Sequence, residues 1–234
     1  MPLADNIEHV QQRIAAAALH AGRKAEEVTL MAVSKTFPPE QIRAAYDSGL
    51  RVFGENRVQE FAGKIAALRD LREAEWHMIG HLQTNKAAQA VKLFSNIDSV
   101  DSVRLARKLN SAASDLDKKL SALIEINIGG EAAKSGVAPH SAKLEDLLNA
   151  APELPFLDLC GLMTVPPFSD DPELSRPYFR KMRELFNHIA DRRLPAVRME
   201  VLSMGMSHDY EVAIEEGANC VRVGTAIFGA RTSL

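Results

Sequence analysis

The chain has 234 residues, of which 46% are hydrophobic and 25% are charged, a composition that excludes disorder as the main state. A net charge of -3 argues against a broad nucleic-acid surface, and two cysteines are too few for a disulfide framework or a zinc cluster. No stretch resembles a signal peptide or approaches the ~20 apolar residues of a membrane span. We therefore expect a cytoplasmic protein that binds neither membrane nor nucleic acid, and no metal.

One unit of hydrophobic pattern recurs along the chain: a short apolar strand, a polar turn and an amphipathic helix. A helix comes first, because apolar residues between Ile7 and Ala21 recur at helical spacing and Gly22 can end it. Eight strands are then predicted, and an apolar stripe at helical spacing follows each of them. The predicted strands span residues 28–33, 51–53, 76–79, 96–98, 120–128, 156–163, 199–202 and 220–223.

Eight such units predict a (β/α)8 barrel, whose typical length is about 250 residues. The apolar strands suit a parallel sheet covered on both faces. A doubly wound open sheet is the alternative, but its first strand is often followed by a glycine fingerprint. Here the first strand runs into Ser34-Lys35-Thr36 instead. We predict a single barrel domain over residues 1–234, with one additional helix at its N-terminus.

Lys35 stands at the end of the first predicted strand, where barrels collect their functional residues. Partial burial at a barrel mouth favours the neutral amine, which can attack a carbonyl and form a Schiff base. A solvated lysine in a loop is the alternative, and position alone does not decide between the two.

The loops after strands seven and eight predict a phosphate site. Ser203, Ser207, Gly224 and Thr225 are small residues at the two positions where barrels frequently bind phosphate. Glycine lets the backbone approach an anion, and free N–H groups can then bind it. Ser207 could alternatively serve only as a helix cap. Arg222 shares a side with Gly224 by alternation, where it could meet a phosphate, a ring nitrogen or an interior carboxylate.

Three further candidates follow other strands. Asn56 and His81 can hydrogen-bond a ligand, although both also suit turns and helix caps. Met204 could line a pocket, although methionine more often fills a core. A lysine nucleophile and a phosphate site in one barrel together indicate that the ligand is a phosphorylated carbonyl compound. A sugar phosphate handled by an aldolase fits this chemistry, and so does pyridoxal 5′-phosphate (PLP).

Several blocks of the sequence resemble the PLP homeostasis proteins, a family of PLP-binding proteins, and the resemblance covers nearly the whole chain. The most specific blocks are Ser-Met-Gly-Met-Ser at 203–207 and Arg-x-Gly-Thr-x-Ile-Phe-Gly at 222–229. The others are Ala-Val-Ser-Lys-Thr at 32–36, Phe-Gly-Glu-Asn at 53–56, His-Met-Ile-Gly-His-Leu-Gln at 77–83 and Gly-Leu-Met-Thr at 161–164.

This resemblance implies a fold-type III PLP barrel, similar to the N-terminal domain of alanine racemase. It implies that Lys35 carries PLP as an internal aldimine and that Arg222 and Asn56 lie beside the cofactor. The phosphate would be held by Ser203, Ser207, Gly224 and Thr225, and His81 and Met204 complete the expected set of cofactor contacts. The family is thought to act as a carrier or buffer in intracellular PLP (vitamin B6) homeostasis.

Catalysis is the alternative function, either as a weak PLP-dependent amino-acid racemase or as a Schiff-base aldolase. Racemases of this fold use a second domain and a catalytic tyrosine from a partner subunit. The three tyrosines, Tyr46, Tyr178 and Tyr210, do not lie where a second domain would be. We therefore expect little turnover, no firm catalytic residue besides Lys35, a monomer, and PLP-dependent apoenzymes as possible partners.

Overall fold

A computed structural model describes residues 2–131 and 134–230 of the chain. Within them, eight parallel strands form a closed barrel in which every strand pairs with its neighbours in sequence and β8 pairs with β1. The (β/α)8 barrel is therefore confirmed. The strands are β1 Thr29–Val33, β2 Val52–Glu55, β3 Glu75–Met78, β4 Asn96–Val100, β5 Leu120–Ile126, β6 Leu157–Thr164, β7 Val197–Met206 and β8 Cys220–Val223.

Helices separate the strands and surround the barrel. They are α1 Leu3–His20, α2 Pro39–Asp47, α3 Val58–Lys64, α4 Ala87–Leu93, α5 Val103–Ser114, α6 Ala142–Ala150, α7 Arg176–Asp191, α8 Tyr210–Glu215 and α9 Thr225–Phe228. Local chemistry sets several of their starts. Pro39 occupies the first turn of α2, while the hydroxyls of Ser102 and Ser141 accept backbone N–H bonds at the starts of α5 and α6.

The predicted additional helix, α1, covers the seam where the barrel closes. It packs against α8 and α9. Its apolar face buries Ile7, Val10 and Ile14, and Asn6 donates a hydrogen bond to the carbonyl of Ile227 at 2.9 Å. The helix therefore joins the first part of the chain to its last strand–helix unit.

Alternation along the strands divides the apolar residues into two groups. Residues such as Ala32 and Phe53 join the main core between the strands and the helices. Leu123, Cys160 and Met163 form a separate small cluster, which lies inside the barrel. Because successive side chains of a strand point to opposite faces, the residues that share a side with this inner cluster can reach the barrel mouth.

Strand β7 is longer than predicted, and its end bears on the candidate site. Residues 203–206 were expected in a loop, but they continue β7, and Met206 is paired with Arg222 of β8. The register shifts between Ser203 and Met206, and Gly205 there has φ +92°. A side chain at Gly205 would collide with Ala213 and Tyr210, so only glycine fits this close approach of α8.

No helix among the described residues is long and apolar enough to cross a bilayer. In the same part of the chain, no group of three His, Cys, Asp or Glu side chains is arranged to hold a metal ion.

Candidate functional site

Lys35 emerges from the end of β1, which is fixed to β2. The Ser34 hydroxyl is buried and donates a hydrogen bond to Oε1 of Glu55 at 2.7 Å, and the Ser34 N–H donates to the carbonyl of Gly54 at 3.0 Å. By alternation, half-buried Lys35 shares the interior side of the barrel with Met31 and Val33. The lysine therefore starts from a rigid strand end at the C-terminal mouth of the barrel.

A charged network holds the backbone on the other side of Lys35. The N–H of Thr36 donates to Oε1 of Glu60 at 2.6 Å, and Lys64 contacts Glu60 at 2.7 Å and Glu55 at 3.4 Å. Thr36 adopts φ +69°, a strained conformation for a residue with a Cβ. Burial raises the pKa of the Glu55 carboxyl, while Lys64 and the Ser34 hydroxyl oppose this shift. Both neighbours of Lys35 are thus anchored by side chains of β2 and α3.

Arg222 lies inside the barrel wall and is 3% exposed. Its Nη1 donates to the Ser203 hydroxyl at 2.6 Å, and its Nη2 donates to the carbonyl of Thr164 at 2.7 Å. Burial lowers the pKa of the guanidinium, although arginine keeps its charge in proteins. The side chain therefore places a fixed positive charge inside the barrel, between β6, β7 and β8.

Carboxyl groups in the barrel interior attract this charge. Their attraction opposes the effect of burial on the pKa of Arg222, and they belong to Asp98, Asp209 and Glu125. An interior arginine beside carboxylates was one of the alternatives left open by the sequence, and the structure contains that arrangement. A contact between Arg222 and a ligand remains a prediction.

The ends of β7 and β8 meet at Ser207, as the predicted phosphate site requires. The Ser207 hydroxyl accepts hydrogen bonds from the N–H of Gly224 at 3.1 Å and from the N–H of Ala226 at 3.4 Å. Thr225 lies between these two residues and is exposed. We call Ser207 and residues 224–226 the phosphate cup. Ser203 is fully buried and accepts from Arg222, so it supports the cup from below.

Asn56 lies at the mouth with an unused acceptor. Its Oδ1 is buried and has no hydrogen-bond partner among the described residues. The backbone of Gly80 lies against it so closely that an added Cβ would lie 2.5 Å from the Asn56 carbonyl oxygen. A buried amide oxygen without a donor is costly, so a ligand that donates a hydrogen bond would stabilise it.

His81 and Met204 occupy different surroundings. His81 is exposed, and its Nδ1 lies 3.3 Å from Oδ2 of Asp101; with Asn56 it lines a side pocket of about 280 Å³. Met204 is fully buried and belongs to the main core between strands and helices. The structure therefore brings His81 to the rim of the mouth, whereas it directs Met204 away from the interior. Alternation along β7 accounts for the position of Met204, because it shares a face of the strand with Leu202, which also belongs to the main core.

Glu125 is a site residue that was not predicted. It lies near the end of β5, and its Oε2 is buried without a hydrogen-bond partner in the described structure. Burial raises the pKa of this carboxyl to about 7, the nearby charge of Asp101 adds to the shift, and Arg222 opposes it. A carboxylate within the apolar run 120–128 was the available signal, because such a group rarely enters a strand without a role.

A second hollow, of about 440 Å³, opens at the opposite end of the barrel. It is lined by residues at strand starts, among them Thr29, His77 and Asp98, and Nδ1 of His77 lies 3.1 Å from the Asp98 carboxylate. Barrels carry their active sites at the C-terminal ends of the strands, while the N-terminal end serves stability. The mouth that holds Lys35, the phosphate cup and Arg222 is therefore the candidate site.

The barrel and the residues at its mouth define a class of protein. The profile of the family described as "Alanine racemase, N-terminal domain" matches residues 3–232. A protein of Aquifex aeolicus (strain VF5) called "Pyridoxal phosphate homeostasis protein" is 47% identical over 231 residues, which cover 99% of each chain. The protein of the same name from Escherichia coli (strain K12) is 42% identical over 98% of this chain and 97% of its own. The chain belongs to the family of pyridoxal phosphate homeostasis proteins.

Solved structures agree with this assignment. PipY of Synechococcus elongatus PCC7942, in a solved structure described as having PLP bound, superposes with a TM-score of 0.84. It is 34% identical, and the match covers 97% of this chain and 100% of that one.

Proposed function

We propose that the protein binds PLP covalently at Lys35 and acts in PLP homeostasis as a single-domain carrier or buffer of the cofactor. The observation that supports this proposal most directly is the meeting of three features in one barrel mouth. These are Lys35 at the end of β1, the phosphate cup formed by the ends of β7 and β8, and the buried charge of Arg222 between them. The family to which the chain belongs is named for the same role.

The residues of the mouth fit the chemical groups of PLP. A phosphate monoester needs hydrogen-bond donors, which the N–H groups of Gly224 and Ala226 supply once Ser207 turns its hydroxyl toward the ligand. The aromatic ring carries a nitrogen and a hydroxyl, for which Arg222 and the unpartnered Oδ1 of Asn56 are available as donor and acceptor.

When bound, PLP supplies an aldehyde carbon that an amine can attack. The residues of the barrel mouth would position this aldehyde and hold the rest of the ligand. Lys35 must present a neutral amine to that carbon, and its anchored neighbours Ser34 and Thr36 limit the directions from which it can do so. Arg222 keeps its proton and would offer a fixed positive charge to the bound ligand. Ser207 and the N–H groups of Gly224 and Ala226 would hold its phosphate.

Borohydride reduction followed by peptide mapping tests the attachment. Borohydride converts a Schiff base into a stable amine, so PLP bound to the wild-type protein should become permanently attached. We expect the label on the peptide that contains Lys35, because this lysine shares the mouth with the phosphate cup. A label spread over surface peptides, with none at Lys35, would contradict the proposal.

A carrier must also deliver what it binds. We expect the loaded protein to activate a PLP-dependent apoenzyme faster than the same concentration of free PLP, and to do so as a monomer. The measurement is the recovery of apoenzyme activity after mixing, with borohydride-reduced protein as the control because it cannot release its ligand. Equal rates with loaded protein and free PLP would argue for storage without directed transfer.

A further inference from the structure

A pair of opposite charges on α3 lies beside the end of β1. Glu60 and Lys64 are one helical turn apart, and Nζ of Lys64 lies 2.7 Å from Oε1 of Glu60. Their side chains are 26% and 12% exposed, so solvent reaches the pair only in part. The glutamate precedes the lysine by four residues, which is the favourable order for an ion pair on a helix. The helix thus presents one connected pair of charges to the strand that carries Lys35.

Each member of this pair holds one of the two peptide groups that flank Lys35. Nζ of Lys64 donates to the carbonyl of Ser34 at 3.3 Å, so it holds the peptide group before Lys35. Oε1 of Glu60 accepts the N–H of Thr36 at 2.6 Å, so it holds the peptide group after Lys35. The same Oε1 atom also accepts from Lys64. One ion pair therefore fixes the backbone on both sides of Lys35.

The turn that contains Lys35 needs such a restraint. It is closed by the N–H of Phe37, which donates to the carbonyl of Ser34 at 3.1 Å, and its third residue, Thr36, has φ +69°. A turn with positive φ at this position normally has glycine or asparagine there. A strained conformation of this kind persists only where the surroundings hold it. Thr36 is exposed, so the hydrogen bond from its N–H to Glu60 supplies a restraint that its side chain does not.

A second carboxylate fixes the pair from β2. Nζ of Lys64 lies 3.4 Å from both oxygens of Glu55, which is buried and accepts a hydrogen bond from the Ser34 hydroxyl at 2.7 Å. Removing Lys64 would therefore leave a buried carboxylate without its counter-charge, which is strongly destabilising. Removing the carboxylate of Glu60 leaves Lys64 beside Glu55, so Glu60 is the better position for a test.

We propose that Glu60 and Lys64 are positioning residues, whose ion pair fixes the direction in which Lys35 presents its amine to the aldehyde of the ligand. Schiff-base formation joins the amine nitrogen to the carbonyl carbon, and the carbonyl oxygen leaves as water with the two protons of the amine. The attack requires the reacting atoms in one orientation, so a less restrained backbone slows it. This inference rests on the proposed binding of PLP at Lys35, and it names the side chains that hold the lysine in place.

The rate of Schiff-base formation tests the proposal. It is measured by stopped-flow absorption at saturating PLP for the wild type, Glu60→Ala and Glu60→Gln. We expect Glu60→Ala to react about tenfold more slowly than the wild type, because the Thr36 N–H and Lys64 lose their shared acceptor. Glu60→Gln keeps an oxygen for the Thr36 N–H but loses the charge, so its rate should lie between the two. The affinity for pyridoxine 5′-phosphate, which has no aldehyde, should be the same in all three proteins.

Further measurements separate positioning from stability. Glu145→Ala removes a glutamate of α6 that pairs with Arg192 at 2.6 Å, and it should leave the rate unchanged. Adding Thr36→Asn to Glu60→Ala should recover most of the lost rate, because asparagine adopts positive φ more readily than threonine. In the apo-protein, amide hydrogen exchange at Thr36 should be faster in Glu60→Ala than in the wild type, because the N–H has lost its acceptor.

Three results would overturn the role of the pair while leaving the proposed function intact. The first is a Glu60→Ala protein that forms the Schiff base at the wild-type rate. The second is an equal loss in this rate and in the affinity for pyridoxine 5′-phosphate, which would indicate general damage to the site. The third is a slow Glu60→Ala protein that Thr36→Asn does not accelerate. Wild-type protein that forms no Schiff base at Lys35 would overturn the proposed function itself and this inference with it.

Discussion

Lys35→Ala is expected to lower the affinity for PLP by on the order of 100-fold, which corresponds to about 2.7 kcal/mol. The variant keeps the phosphate cup and Arg222, so PLP can still bind through its phosphate and ring. It loses the amine that the anchored end of β1 presents to the aldehyde. The measurement is equilibrium dialysis of PLP together with the visible absorption band of the bound cofactor, which should disappear.

Two controls separate the covalent bond from the rest of the site. Pyridoxine 5′-phosphate carries an alcohol in place of the aldehyde, so it should bind the wild type and Lys35→Ala equally. Lys92→Ala removes an exposed lysine of α4 and should leave PLP binding unchanged. If Lys35→Ala retains the affinity and the absorption band of the wild type, another amine carries the cofactor, and the assignment of Lys35 is wrong.

Glu125→Gln is expected to stabilise the apo-protein relative to the wild type, and this gain should be larger at pH 8 than at pH 4.5. The difference in free energy of unfolding between variant and wild type should increase by about 2–3 kcal/mol between these pH values. The pKa of Glu125 is raised from its ordinary 4.5 to about 7 in the folded protein. Between these values the folded state holds a proton that the unfolded chain releases. The stability of the wild type therefore falls as the pH rises from about 4.5 to 7, and the penalty is complete above pH 7. Glutamine stays neutral throughout and removes this penalty.

Urea unfolding of both proteins at the two pH values measures this effect. The quantity to compare is the difference in free energy of unfolding between the variant and the wild type, because the contribution of the amide to packing cancels between pH values. Glu184→Gln, at an exposed position of α7, is the matched control. Its difference in free energy of unfolding from the wild type should change by less than about 0.5 kcal/mol between the two pH values. A difference that does not grow from pH 4.5 to pH 8 would show that Glu125 is ionised in the folded protein.

The same carboxyl bears on ligand binding. A protonated Glu125 adds no negative charge to the interior at pH 6. An ionised Glu125 would interact electrostatically with Arg222 and partly neutralise its positive charge. The unpartnered Oε2 of Glu125 and the unpartnered Oδ1 of Asn56 both lie buried at this end of the barrel. The mouth therefore contains buried polar atoms for which residues 2–131 and 134–230 supply no hydrogen-bond partner, a feature typical of ligand sites.

The repeated strand–helix pattern was enough to predict the barrel, because each strand and helix of this fold carries its own local periodicity. The position of Lys35 at the end of β1, and of Ser207 and Gly224 at the ends of β7 and β8, followed from the same pattern, since parallel strands bring their C-terminal ends to one edge. These positions depend only on order along the chain, which the sequence contains.

Other features depend on register and on contacts between distant segments. Met204 was predicted to contact the cofactor, and its side chain lies in the core between strands and helices, on the same face of β7 as Leu202. The pKa of Glu125 is raised by burial and by the nearby charge of Asp101, while Arg222 opposes the shift, and these three residues come from different parts of the chain. No local pattern encodes such burial.

The sequence by itself thus determined the fold and the positions of Lys35, Ser207 and Gly224 at the ends of their strands, because local periodicity and chain order suffice for these. Only the tertiary structure decided which side chains enter the barrel and which charges face one another. The pair Glu125 and Arg222 illustrates this, since burial raises the pKa of the carboxyl and lowers that of the guanidinium. Desolvation is a property of the packed molecule, and the electrostatics of the mouth follow from it.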